Sequence, residues 1–169
     1  PEEVLQDPPL QLPGYQPQNF DRRFRQRVSA RQALVDSLNL PSIEVVRRIG
    51  QRPFLETLHD LGLSTLDKPP EHYGLNLILG GGEVRLLDLS RAYAKLAHVS
   101  PRDPLSSEAA WITSDILSGS ERDFTVYGHT EKGTRPRISW KTGTSSRSRD
   151  AWTIAWNEQY VVGVWRGNP

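Results

Sequence analysis

The hydrophobic pattern changes its period about two thirds of the way along the chain, and this change limits the folds available to it. From residue 29 to residue 119, apolar residues recur every three or four positions, which is the spacing of amphipathic helices. From residue 137 to residue 166, three short segments rich in β-branched and aromatic residues follow one another. Helices first and strands last predict an α+β fold, in which a helical subdomain precedes a three-stranded antiparallel meander.

The composition indicates a folded domain and narrows its chemistry. Among 169 residues, 36% are hydrophobic and 24% are charged, which disfavours a disordered chain. Lys and Arg total 21 against 20 Asp and Glu, so no overall field favours nucleic acid as a partner. Cysteine is absent, which excludes thiol nucleophiles, and the four histidines are scattered without a metal-binding spacing. We therefore predict neither a metal nor a cofactor.

The two ends of the chain suggest different roles. Four prolines between residues 8 and 17 disfavour regular structure, so we predict an arm or linker over residues 1–21 and a partial domain over residues 22–169. The chain starts with Pro1 and contains no methionine, so we expect it to be a processed product or a piece of a longer protein. No apolar run approaches the length of about 18 residues that a membrane-spanning helix needs.

Ser37-Leu38-Asn39 lies where one predicted helix gives way to the next. The apolar spacing of the helix that begins after Ser29 places Ser37 on its apolar stripe, close to its C-terminus. Pro41 ends this helix and can open a second one, which leaves Asn39 in the bend. One interpretation is that both polar side chains project into a cleft between helices and sheet. The alternative is an ordinary helix end.

Lys141-Thr142-Gly143-Thr144 lies at the end of the first predicted strand. The lysine offers a fixed positive charge, and two hydroxyls flank a glycine whose missing Cβ lets a ligand lie against the backbone. Backbone amides at such a strand edge can hold an oxyanion. The pattern predicts a site for an anionic ligand that pairs with the strand edge, and the alternative is an exposed strand end.

Together, the two segments resemble two of the three motifs of penicillin-recognising serine acyltransferases. Their surroundings resemble the transpeptidase domain of class A penicillin-binding proteins, and this likeness extends from about residue 15 to the end of the chain. The segments that carry it are residues 31–42, 77–84, 89–94, 141–145, 149–152 and 162–165. The resemblance implies a truncated piece of the fold shared by penicillin-binding proteins and serine β-lactamases.

The resemblance implies a serine D,D-transpeptidase that builds the bacterial cell wall. Such an enzyme acylates a serine with the D-Ala-D-Ala end of a peptidoglycan stem peptide and passes the acyl group to a neighbouring amine. β-Lactams mimic the donor and are the second implied ligand. The parent protein would be anchored at the extracytoplasmic face of the inner membrane, in the periplasm, and this segment would touch neither membrane nor nucleic acid.

Roles for individual residues follow from the same resemblance. Ser37 would relay a proton to the leaving group in a network with Lys141, and Asn39 would hydrogen-bond the donor's amide side chain. The backbone amide of Thr144 would form half of the oxyanion hole. The implied catalytic residues are Ser37, Asn39, Lys141 and Thr144, and the implied substrate contacts are Thr142, Gly143, Thr144 and Ser145.

The third family motif, S-x-x-K, does not occur in the chain, since no serine has a lysine three residues later. In the family, its serine is the nucleophile and its lysine helps to deprotonate that serine. We expect this motif to lie before Pro1, so that the parent protein is an enzyme and this chain alone is not competent. Two alternatives remain: a non-catalytic module that binds stem peptide or a cell-wall partner, and a β-lactam sensor or β-lactamase relative.

Overall fold

The computed structural model describes residues 1–11, 16–119, 137–145 and 149–167. The chain forms two compact units, Pro1–Arg85 and Leu86–Pro169, and each is described by itself. Helices precede a three-stranded antiparallel sheet, so the predicted α+β fold is confirmed.

The first unit combines a two-stranded sheet with a set of helices. Strand β1 spans Val4–Asp7 and β2 spans Gln26–Ser29; helix α1 spans Ala30–Val35, α2 Asn39–Ile49, α3 Gln51–Asp60 and α4 Pro70–Tyr73. A 3₁₀ helix, Gly74–Leu79, follows α4. Ser29 caps α1 as predicted, because its Oγ accepts a hydrogen bond from the Gln32 N–H at 3.1 Å.

Strand β1 contradicts the prediction that residues 1–21 form only an arm. It pairs antiparallel with β2, with Leu5 opposite Val28. Leu5 and Val28 are buried together with Ala33 and Leu38 in a small apolar cluster, which we call the hairpin cluster. A four-residue strand carries little local signal of its own. It is stable here because its partner, distant in the sequence, buries one of its faces.

The second unit packs two helices on the three-stranded sheet. Helix α5 spans Leu86–Ala97 and α6 spans Ser107–Leu117; strand β3 spans Ser139–Thr144, β4 Asp150–Trp156 and β5 Val161–Gly167, in the order β3-β4-β5. Both strand pairs are antiparallel, as the meander prediction required. Among the described residues, the helices are too short or too polar to cross a membrane.

Close packing of α5 against β5 fixes the back of this sheet. A Cβ added at Gly163 would overlap Ser90 Oγ and lie 3.0 Å from Leu86 Cδ1, so this position requires glycine. Beside it, the Tyr93 ring meets Trp156 edge-on, with the ring centroids 5.2 Å apart. Burial raises the pKa of Tyr93 above its usual value, so this phenol stays neutral.

Candidate active site

Ser37 lies in the turn between α1 and α2 with its backbone in the left-handed region, at a φ of 56°. Its N–H donates to the Leu34 carbonyl at 3.3 Å, and the Leu38 N–H donates to the Ala33 carbonyl at 2.9 Å. This pair of bonds is the Schellman ending of a helix, whose left-handed position is usually occupied by glycine.

The prediction that Ser37 shares the apolar stripe of α1 is therefore wrong. Helix α1 ends at Val35 and Ser37 is exposed. The cause is Leu38, which is only 3% exposed and packs into the hairpin cluster, so the chain must leave the helix to place it there. A side chain in this conformation costs on the order of 1 kcal/mol relative to glycine. Strain of this kind is a reason to suspect function.

Asn39 is the first residue of α2 and does not lie in the preceding bend. Its side-chain Nδ2 donates to the Gln18 carbonyl at 2.7 Å, which orients the amide. Its backbone N–H donates to Asn19 Oδ1 at 2.9 Å. Sequence analysis missed Asn19, because it lies in the proline-rich segment, 20 residues before the helix that it contacts.

The Lys-Thr-Gly-Thr segment forms the last four residues of β3, as predicted. Lys141 pairs with Ile154 and Gly143 with Trp152 along β4. Just beyond the strand, the Ser145 N–H donates to the Asp150 carbonyl at 3.0 Å, and the Asp150 N–H donates to Ser145 Oγ at 2.8 Å. Ser145 thus joins β3 to β4 at the end of the strand that carries the candidate site.

The hydrogen-bonded pair Ser145–Asp150 also shows which backbone groups of β3 face outward. Because an antiparallel ladder alternates, Lys141 and Gly143 direct their N–H and C=O groups toward β4. Thr142 and Thr144 direct theirs to the opposite edge. In the described part of the chain, β4 is the sole neighbour of β3 in the sheet, so this edge is unpaired there.

The side chains at this edge add a cation and two hydroxyls. Lys141 Nζ donates to the outward-facing Thr142 carbonyl at 2.7 Å, which holds its charge beside the edge. Thr142, Gly143 and Thr144 are all exposed. The edge therefore offers backbone donors and acceptors, hydroxyls and a positive charge, which suit an extended ligand with an anionic end.

Packing against the described residues does not require glycine at position 143. A Cβ at this position would lie 3.8 Å from Trp152 Cβ, which is an ordinary van der Waals distance. The backbone is not in the left-handed region either, since Gly143 is not among the glycines with positive φ. The described residues thus leave space beside Gly143.

The other end of β3 is tied to α6 by bonds that sequence analysis missed. Ser139 Oγ donates to the Ser114 carbonyl at 2.8 Å, and Trp156 Nε1 donates to Ser114 Oγ at 3.1 Å. An ion pair joins Arg137, just before the strand, to Asp115 on the helix. These contacts fix where the strand starts and therefore where Lys141 lies along it.

The predicted site residues fall into two groups. Ser37, in the turn before α2, and Asn39, the first residue of that helix, lie in the first unit. Residues 141–145 share one strand end in the second. In the residues that the structure describes, no group of three or more His, Asp or Glu side chains could hold a metal ion.

Comparison with known proteins settles the family. The sequence profile of the penicillin-binding protein transpeptidase domain matches residues 1–166. The chain belongs to this family. The match begins at residue 1, so the family's transpeptidase domain includes the segment that composition had marked as an arm.

Individual relatives of this transpeptidase domain agree with that assignment. Penicillin-binding protein 1C of Escherichia coli (strain K12) is 37% identical to it over 186 residues, which cover 100% of the chain and 23% of the relative. The penicillin-binding protein PonA1 of Mycobacterium tuberculosis matches with a TM-score of 0.78 at 19% identity, over 97% of this chain and 54% of that one. PonA1 has also been solved with penicillin V, and that structure matches with a TM-score of 0.72 at 19% identity, over 96% and 53% of the two chains. The chain therefore spans about a quarter of the curated relative and about half of the solved chains.

Proposed function

We propose that this chain is part of a class A peptidoglycan synthase and supplies two of the three motifs of its serine D,D-transpeptidase. The observation that carries the proposal is the edge of β3 that faces away from β4 and has no neighbouring strand among the described residues. There Thr142 and Thr144 present backbone groups beside the Lys141 ammonium. Membership of the transpeptidase family supports it, as does the solved complex of a relative with penicillin V.

In the proposed reaction, the serine of an S-x-x-K motif attacks the carbonyl carbon of the penultimate D-Ala. A C–O bond forms and the peptide C–N bond breaks, and the terminal D-Ala leaves as an amine that takes up a proton. The amine of a second stem peptide then attacks the ester, forms the cross-link and returns the serine. This is nucleophilic catalysis through an acyl-enzyme, with charge developing on the carbonyl oxygen at both steps.

The strand residues would bind the donor and stabilise its charges. The terminal carboxylate of the donor would meet the hydroxyls of Thr142 and Thr144, within the positive potential of Lys141. The Thr144 N–H, which faces away from β4, would donate to the carbonyl oxygen as it becomes an oxyanion. The nucleophile's own N–H would complete this hole. Gly143 would leave room for the donor backbone, and Ser145 would hold the strand end against Asp150.

The turn before α2 and the first residue of that helix would provide the other two groups. Ser37 would pass the proton to the departing amine, a role that favours an exposed hydroxyl on a sharply defined turn. Asn39 would hydrogen-bond the amide side chain of the donor, using the capacity that its bond to the Gln18 carbonyl leaves. We propose that the parent protein works at the extracytoplasmic face of the bacterial inner membrane.

The decisive measurement is binding of a donor peptide to the 169-residue chain, followed by NMR. N-acetyl-L-lysyl-D-alanyl-D-alanine should shift the backbone amide signals of Thr142 and Thr144, and the L-alanyl-L-alanine peptide should not. Lys141→Ala should weaken the response, whereas Lys68→Ala, at an exposed lysine of the first unit, should leave it unchanged. Equal responses to the two peptides, or no response, would contradict the proposal.

A second candidate, a non-catalytic module that binds stem peptide, is favoured by one observation, the absence of S-x-x-K from these 169 residues. The reading frame upstream of Pro1 separates the two candidates. An S-x-x-K in that frame supports the enzyme, and a start codon directly before Pro1 supports the binding module.

A further inference from the structure

Asn19 is a buried amide at the meeting point of three chain segments. It is only 2% exposed. Its Nδ2 donates to Asp7 Oδ1 at 2.7 Å and to the Arg23 carbonyl at 2.9 Å. Its Oδ1 accepts the N–H of Asn39 at 2.9 Å and the N–H of Leu40 at 3.3 Å. Two donors and two acceptor positions are the full capacity of an asparagine side chain, and all four are used.

Helix α2 has no cap of its own, and Asn19 takes that role from a distance. The residue at the N-cap position is Leu38, which has no side-chain capping bond. Its own N–H donates to the Ala33 carbonyl. The next two N–H groups, of Asn39 and Leu40, both go to Asn19, and Pro41 has no N–H to satisfy. All the N–H groups that a helix start leaves without intrahelical partners are thus accounted for.

Asp7 holds Asn19 in place from β1. Its side chain is fully buried, at 0% exposed. Its second oxygen, Oδ2, accepts the Arg25 N–H at 2.9 Å. A buried carboxylate is tolerated only where hydrogen bonds satisfy it. Here the donors are Asn19 and Arg25, at the two ends of the segment 19–25. The first strand, this turn and the start of α2 form one connected network.

We infer that Asn19 is a positioning residue for Asn39, with Asp7 as its anchor. The inference rests on the proposed function, in which Asn39 binds the donor. Asn19 fixes the backbone of Asn39, and the adjacent Gln18 carbonyl fixes its side chain. Gln18 and Asn19 are neighbours in the proline-rich segment. A movement of that segment therefore displaces the Asn39 amide that would contact the donor.

Hydrogen exchange in the 169-residue chain tests this without any ligand. Asn19→Leu removes both acceptor contacts at similar volume. Exchange of the Asn39 and Leu40 amides should then rise by about tenfold or more, while the Gly50 amide, at the other end of α2, should keep its rate. Gln16→Ala, at an exposed amide residue of the same segment, is the matched control and should change neither. Unchanged exchange at Asn39 and Leu40, or an equal rise at all three amides, would overturn the inference.

Asn19→Asp provides a second variant in case the leucine variant does not fold. An aspartate keeps the acceptors for Asn39 and Leu40 but has no donor for Asp7, so two carboxylates face each other. The Arg25 guanidinium pairs with Asp21 and Asp36 through Nη2. Protection of the two amides, corrected for intrinsic exchange, should be lower than in the wild type near pH 7 and recover as the pH falls and the pair takes up a proton. Protection equal to the wild type at neutral pH would also overturn the inference.

The peptide titration distinguishes failure of this inference from failure of the proposed function. If the wild-type chain does not respond to the D-alanyl-D-alanine peptide, the proposed function fails, and the exchange rates still decide whether Asn19 positions Asn39. If it does respond, Asn19→Leu should reduce the shift at Asn39 and keep the shift at Thr144. Equal loss at both residues would contradict a role confined to Asn39.

Discussion

Ser139 Oγ donates a hydrogen bond to the Ser114 carbonyl at 2.8 Å, and this bond joins the first residue of β3 to helix α6. Ser139 is only 6% exposed, so its hydroxyl loses its contact with water on folding and bonds to the Ser114 carbonyl instead. The strand that carries the candidate site is thus held at its start by α6 and at its end by the pair Ser145–Asp150.

Replacing Ser139 with alanine should destabilise the chain, because the Ser114 carbonyl loses one of its two donors and keeps only the Ser118 N–H. We expect a decrease of about 1–2 kcal/mol in the free energy of unfolding, measured by urea denaturation. Ser107→Ala, at an exposed position in the first turn of α6, should change it by less than about 0.5 kcal/mol. Equal effects of the two variants would show that the bond does not hold β3.

Ser37→Gly should stabilise the chain, because glycine adopts a φ of 56° without strain. Compared with Ser37→Ala, which also removes the hydroxyl but keeps the Cβ, the glycine variant should be more stable by about 1 kcal/mol. Thermal or urea unfolding of the pair measures this difference. A glycine variant no more stable than the alanine variant would mean that Ser37 is not strained in solution.

Gly143→Ala should separate stability from ligand binding. Among the described residues, the added methyl meets only Trp152, at an ordinary distance, so the free energy of unfolding should fall by less than about 0.5 kcal/mol or rise slightly. The same methyl lies on the exposed strand end and should weaken binding of the D-alanyl-D-alanine peptide.

Gly163→Ala is the matched control for that experiment. Its methyl would overlap Ser90 Oγ, so it should cost about 1–3 kcal/mol of stability. If Gly143→Ala were as destabilising as Gly163→Ala, the space at Gly143 would serve the fold rather than a ligand.

Asp103 should make part of the stability of the second unit dependent on pH. The Ser100 N–H donates to its carboxylate at 2.7 Å and Lys95 Nζ lies 2.9 Å away, and together they lower the pKa of Asp103 from its ordinary value. Because the pKa of Asp103 is lower in the folded chain than in the unfolded chain, its ionised carboxylate stabilises the fold at pH values above the unfolded pKa. This stabilisation is lost as the pH falls through the folded pKa. The difference in unfolding free energy between the wild type and Asp103→Asn should therefore be constant above roughly pH 5 and shrink in more acidic solution. Adding Lys95→Gln to the wild type and to Asp103→Asn should make the difference between them smaller. A difference that does not depend on pH would contradict this role of Asp103.

The 169-residue chain should form no covalent adduct with penicillin, because none of its serines belongs to an S-x-x-K motif. A fluorescent penicillin, incubated with the chain and then resolved on a denaturing gel, should leave no label on it. A penicillin-binding protein that contains the motif serves as the positive control. Label that survives denaturation would reveal a different nucleophile among the serines of this chain.

The strand end with Lys141 could be predicted from sequence, because β-branched and aromatic residues indicate strands locally and the turn at Asn157 separates β4 from β5. Its hydrogen bonds follow from the register alone. The α1–α2 turn was predicted at the right place but with the wrong geometry. Periodicity assigned Ser37 to the helix stripe, whereas burial of Leu38 in the hairpin cluster ends the helix earlier.

The role of Asn19 could not be predicted in this way. Its bonds to Asp7 and Asn39 connect residues far apart in the sequence, and no local pattern of spacing indicates them. The prolines around it indicate only that the segment is not helical. Burial, which requires every polar atom of Asn19 to find a partner, becomes visible only in the folded chain.

The bond between Asp7 and Asn19 has a practical consequence for anyone who wishes to shorten this protein. Composition suggests trimming at residue 21, where the prolines end. Such a cut would discard both residues, strip the start of α2 of its acceptor and unpair β2. Cooperative unfolding and helical circular dichroism do not report the position of Asn39. A shortened protein that passes both tests therefore need not have Asn39 in its native position.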